Sequence, residues 1–111
     1  MKKSFLAAAS IVLLACQQQS TDDLKTLYSL PKKLKEVSGI TYFPEKNIIY
    51  TLEDSGNKNA IYAIDSKGKL EKTITISNAE NIDWEDITKD KSGNIYIGDF
   101  GNNDNERRDL C

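Results

Sequence analysis

The tetrapeptide Ser38-Gly39-Ile40-Thr41 returns as Glu85-Asp86-Ile87-Thr88, 47 positions later, and Asp54-Ser55-Gly56-Asn57 returns as Asp99-Phe100-Gly101-Asn102 after 45. The two-residue difference falls in the turn between a first and a second strand. Around these pairs the chain reads as short β-prone runs divided by turn residues. Ser38 to Phe43 stops at Pro44-Glu45-Lys46-Asn47, where Pro fixes φ and Asn tolerates left-handed geometry. Ile48 to Leu52 is rich in β-branched and aromatic residues and reads as a second strand. Ala60 to Ile64 and Leu70 to Ile76 follow as a third and a fourth, joined by the turn Asp65-Ser66-Lys67-Gly68. The cycle restarts with Glu85 to Thr88, the turn Asp90-Lys91-Ser92-Gly93, and Asn94 to Gly98.

Four strands in a unit of about 45 residues is the spacing of propeller blades. A small β-sandwich would also show short, evenly spaced strands, but it would not repeat a tetrapeptide at the equivalent position. The expectation is an all-β chain, a β-propeller fragment of about one and a half four-stranded blades. It occupies residues 30–111, with blade one over about 36–77 and half of blade two over about 83–111. Because a propeller takes at least about four blades, the chain reads as an N-terminal piece of a longer protein. The alternative is a self-contained small β domain, marginal at this size without bridges or metal.

Ahead of the strands, Lys2 and Lys3 precede a run from Phe5 to Ala15 that holds no charge and only Ser10 as a polar residue. That run is too short for a transmembrane helix, which needs about 20 apolar residues, and suits a signal-peptide core. It stops at Leu13-Leu14-Ala15-Cys16, which resembles the bacterial lipobox, where the cysteine is lipidated and becomes the mature N-terminus. An ordinary buried helix ending in Ala-Cys is the alternative. The polar run from Gln17 to Asp23 argues for a tether instead. Residues 1–15 are thus expected to be a lipoprotein signal peptide and residues 16–29 a lipidated tether. Stable attachment takes at least two acyl chains, which maturation at Cys16 would supply. The expected location is the cell envelope, lipid-anchored to a bacterial membrane.

Composition removes several functions. The chain has no histidine, so a Ser-His-Asp triad is excluded, and with only Cys16 and Cys111 a Cys/His zinc site is excluded too. With Cys16 lipidated, Cys111 has no disulfide partner. Removing residues 1–15 takes out Lys2 and Lys3 and no acid, leaving 17 acidic residues in clear excess. Nothing there suggests the basic footprint of a nucleic-acid binder.

In an up-and-down blade successive turns alternate between two faces. One face would gather the entries to first strands and the second-to-third loops, and with them Glu36, Asp54, Asn57, Asp83, Glu85, Asp86, Asp99 and Asn102. Such an oxygen-rich rim suits calcium, which takes six to eight oxygen ligands. Glu85 is the leading candidate for a cation ligand or general base, with Asp54, Asn57, Asp99 and Asn102 beside it as candidate ligands. Asp83-Trp84-Glu85-Asp86 starts an inner strand, placing the single Trp either toward the central channel or between blades. The competing account of Asp-x-Gly-Asn is purely structural: the Asp caps the turn and the Gly takes positive φ.

The stretches Glu36-Val-Ser-Gly-Ile-Thr41, Asp54-Ser-Gly-Asn57, Asp83-Trp-Glu-Asp-Ile-Thr88 and Gly93-Asn-Ile-Tyr-Ile-Gly-Asp-Phe-Gly-Asn102 resemble exported propellers of the SdiA-regulated and NHL-like group. More distantly they resemble gluconolactonases and β-propeller phytases. The likeness spans roughly Leu30 to Asn105. It implies a propeller on which acidic and Asn side chains at the channel mouth bind calcium, a part that Glu85, Asp99 and Asn102 fit by position. Ser38 stands where the second repeat has Glu85, which departs from a symmetric acidic ring. The functional expectation is a non-catalytic module that binds a protein or small-molecule ligand. The alternative is a calcium-dependent hydrolase of phosphate esters or lactones, inactive in this short form.

Overall fold

A computed structural model describes residues 24–111; Cys16 and the run expected to be a signal peptide lie outside them. Among the described residues there is no helix, and six strands form two antiparallel sheets. Sheet one holds β1 (Val37–Phe43), β2 (Ile48–Glu53), β3 (Ala60–Ile64) and β4 (Leu70–Thr75) in sequence order. Sheet two holds β5 (Trp84–Lys89) and β6 (Ile95–Asp99). Cys111 exchanges both backbone hydrogen bonds with Asp99 (2.5 and 3.1 Å), along the edge of β6 that corresponds to the β3 side of β2.

The turns explain why the strands stop where they do. Asp65 and Asp90 open two copies of one turn. Each Oδ1 accepts the backbone N–H groups two and four residues on, at 2.8–2.9 Å. Gly68 and Gly93 supply the positive φ of 80° and 83° that closes the turn. These hydrogen bonds hold both carboxyls below their usual range. For Asp65 the Lys69 amide leads, and for Asp90 the Asn94 side chain.

The two sheets share one register. In sheet one Val37 pairs with Glu53 and Gly39 with Leu52, leaving Ser38 as the extra residue of a bulge. In sheet two Trp84 pairs with Asp99 and Asp86 with Gly98, leaving Glu85. Ser38 and Glu85 are therefore equivalent, as the tetrapeptides indicate. The second pairing needs correcting: Glu53, not Asp54, is the counterpart of Asp99. The Asp-x-Gly-Asn motifs match chemically but sit one residue out of register, and they fold differently. Gly56 has φ 77°, whereas Gly101 is not among the positive-φ glycines.

The sheets pack front to back. From the front of sheet one Tyr50, Leu52, Ile61 and Ile74 meet Trp84, Ile87, Ile95 and Ile97 from the back of sheet two. Trp84 is only 2 % exposed and lies between the sheets, so its side chain does not point into a channel. Gly39 sets the distance of approach. A Cβ there would stand 2.8 Å from Ile87 N and 2.9 Å from Asp86 Cα, so β1 and β5 touch backbone to backbone. The Ser38 hydroxyl pins the contact by donating to the Trp84 carbonyl at 2.7 Å. On the back of sheet one, Tyr28, Leu30 and Leu34 from the irregular run before β1 pack over Ala60, Tyr62 and Ile64. Covered on both faces, every residue of β3 is buried. Each fully buried Leu or Ile contributes roughly 1.5–3 kcal/mol, so the core lies in these two layers on either side of β3.

A candidate acidic site at the junction of the sheets

The bulge at Glu85 and the run into β5 decide where the acids go. Asn81, buried, donates from its amide to the carbonyls of Glu53 and Asp54 (both 2.9 Å) and accepts the Trp84 N–H at 3.0 Å. It thereby ties the end of β2 to the start of β5. That clamp brings Asp54 from sheet one beside Asp83 and Glu85 from sheet two, with one carboxylate oxygen from each lying within 4.8 Å of the others. Loss of solvation first, then the charges of Asp83 and Asp54, push the Glu85 carboxyl above its ordinary value. Glu85 also borders a shallow depression of about 610 Å³ shared with Ser38, Asp86 and Asn102.

Of the five candidate ligands, Asp54 and Glu85 come together and the other three are engaged elsewhere. Asp99 is buried and faces Arg107, whose Nη1 donates to its Oδ1 at 2.7 Å. Its Oδ1 also accepts the Asp83 N–H at 3.0 Å. Asn102 folds its own loop, with Oδ1 accepting the Arg107 N–H at 2.9 Å. Asn57 donates to Glu36 Oε2 at 2.8 Å and to the Asp54 carbonyl at 3.2 Å. Asp83 is the member of the trio absent from the candidate ligands. Its carboxylate lies where a side chain on residue 101 would stand, so Gly101 makes room for it.

Chemically the trio is an oxygen-only, net-negative cluster from two sheets, and it suits a hard divalent cation. Among the described residues nothing adjacent completes a reaction centre. No family model, curated protein or solved structure is significantly similar to the chain.

Proposed function

We propose that the chain is part of a lipid-anchored β-propeller of the bacterial envelope, a non-catalytic module that binds a ligand or partner at its acidic rim. The observation that carries this reading is the front-to-back stacking of two sheets in one register, with the bulge at Ser38 in one and at Glu85 in the other. Sheets stacked in this sense add around an axis, and closing the ring takes at least about four of them. On this reading further blades lie outside these 111 residues. The polar run Gln17 to Asp23 then serves as a spacer between the acyl chains on Cys16 and the propeller.

The Asp54–Asp83–Glu85 trio marks where such a module would take calcium, because a bound cation would offset the lost solvation and the neighbouring charges that together raise Glu85. The same trio favours the second reading, a calcium-dependent hydrolase of phosphate esters or lactones. The binding module is preferred because the chain lacks histidine, the commonest general acid and base.

Two measurements test the proposal. Millimolar calcium is expected to raise the melting temperature of the full-length protein by mass action, and Glu85→Gln is expected to abolish the rise. No shift in the unaltered protein removes the metal. Cys16→Ser is expected to move the protein from the membrane to the soluble fraction and to end fatty-acid labelling. Unchanged labelling removes the anchor.

A further inference from the structure

Glu53 and Asp99 hold the same place in the two sheets, both buried, at 5 % and 7 % exposure. Each accepts a backbone N–H from the run entering the first strand of its sheet, Lys35 N at 2.8 Å for Glu53 and Asp83 N at 3.0 Å for Asp99. They differ in what neutralises them. Asp99 receives the Arg107 guanidinium, delivered by the long loop after β6, which also donates to the Gly101 carbonyl at 2.9 Å. The loop after β2 is shorter and lacks an arginine. Among the described residues no basic nitrogen lies within 4.0 Å of Glu53.

In place of a guanidinium, a cleft of about 520 Å³ opens at Glu53, bordered by Tyr62 and Thr73, with Lys33 and Lys58 also lining it. Burial first, then the charge of Glu53 and a hydrogen bond to it, push the Tyr62 phenol above its ordinary value, so the hydroxyl stays protonated and its proton serves Glu53. The Lys35 amide and the Tyr62 hydroxyl serve the Glu53 carboxylate as donors, but no cation does, and sheet two shows which cation this position accepts. The two lysines oppose a purely cationic guest, but they suit one that carries a carboxylate beside its cation.

We infer that the cleft at Glu53 binds a small zwitterion, an amino acid with a guanidinium or ammonium side chain, its cation on Glu53 and its carboxylate toward Lys33 and Lys58. This goes beyond the acidic rim and does not depend on calcium or on the lipid.

The test is an NMR titration of the isotopically labelled chain with L-arginine, L-citrulline, which has the same shape without the cation, and agmatine, which lacks the carboxylate. Arginine is expected to shift the Glu53 side-chain carboxyl carbon and the Lys35 and Tyr62 amides. Citrulline and agmatine are expected to bind at least about tenfold more weakly, the loss of one charge-assisted hydrogen bond at a buried group. Glu53→Gln, which keeps an acceptor for the Lys35 N–H, is expected to erase the preference for arginine over citrulline. Equal responses to arginine and citrulline, or none at Glu53, overturn the site, and these outcomes are read on the unaltered protein even if the variant fails to fold. Agmatine binding as tightly as arginine overturns the zwitterion assignment.

Discussion

Sheet one is covered on both sides at β3 and sheet two on one side only, although the two share a register. β3 is wholly buried between the run carrying Tyr28, Leu30 and Leu34 and the back of sheet two. On the front of sheet two Tyr96 is 55 % exposed, and Phe100 just beyond β6 is 48 % exposed, while Tyr50, the counterpart of Tyr96, packs into the layer between the sheets. Equivalent residues therefore differ in burial because of what stands opposite them, not because of their own strand. A repeat of this kind buries its faces by stacking on a neighbour.

The strongest way to break that comparison is Trp84→Ala. Trp84 fills the layer between the sheets, so the variant is expected to lose about 3–5 kcal/mol in urea unfolding. A loss below about 1 kcal/mol, typical of a surface change, would mean that the sheets are not packed on one another. Next comes Gly39→Ala, where the new methyl meets the backbone of Asp86 and Ile87. The expected loss is about 1–3 kcal/mol. At the equivalent position, open on its front, Asp86→Ala should stay within about 0.5 kcal/mol. Equal effects at 39 and 86 would erase the distinction between a covered and an open front.

Smaller again is Gly56→Ala. Nothing lies within 4 Å of the new methyl, so only the positive φ is charged, and about 1 kcal/mol is expected. Gly101→Ala instead displaces the Asp83 carboxylate, and it should weaken calcium binding if the trio holds the ion. The smallest effect is one of pH. Because the Glu85 carboxyl is raised in the folded chain, the folded state holds its proton more tightly than the unfolded one. Its contribution to stability is therefore full below the ordinary glutamate value of 4.5 and is lost as pH rises through the raised value. Glu85→Gln is expected to flatten that part of the stability–pH curve, and an unchanged curve would show that neither lost solvation nor the two neighbouring acids raises Glu85.

The strands were legible because β-branched and aromatic runs end at Asp-x-x-Gly turns, whose chemistry is local. The equivalence of Ser38 and Glu85 was legible for the same reason. The partner position was misread by one residue because Asp54 and Asp99 both begin an Asp-x-Gly-Asn string, while the register is set by strand pairing, which places Glu53 opposite Val37 and Asp99 opposite Trp84. The place of Arg107 beside Asp99 and Asn102 was not legible, because nothing local in the sequence shows that the loop doubles back to reach them. The covering run from 24 to 34 has no periodicity to announce it. Tyr28, Leu30 and Leu34 show their role only once the sheet they cover exists. The acidic trio was half visible, since Asp54 and Glu85 were chosen and Asp83 joined them only through the room left at Gly101.

The run over the back of sheet one has a consequence for how copies of this chain meet. Front-to-back stacking is head-to-tail, and head-to-tail contact between separate molecules either closes into a ring or grows without limit as a fibre. The open front of sheet two is one half of such a contact. The other half is the back of sheet one, and there Tyr28, Leu30 and Leu34 already fill the outer strands, leaving Ile40 and Tyr42 on β1 uncovered. The chain thus covers part of its own tail, and a last blade closing the ring or a second molecule starting a polymer would meet that run first.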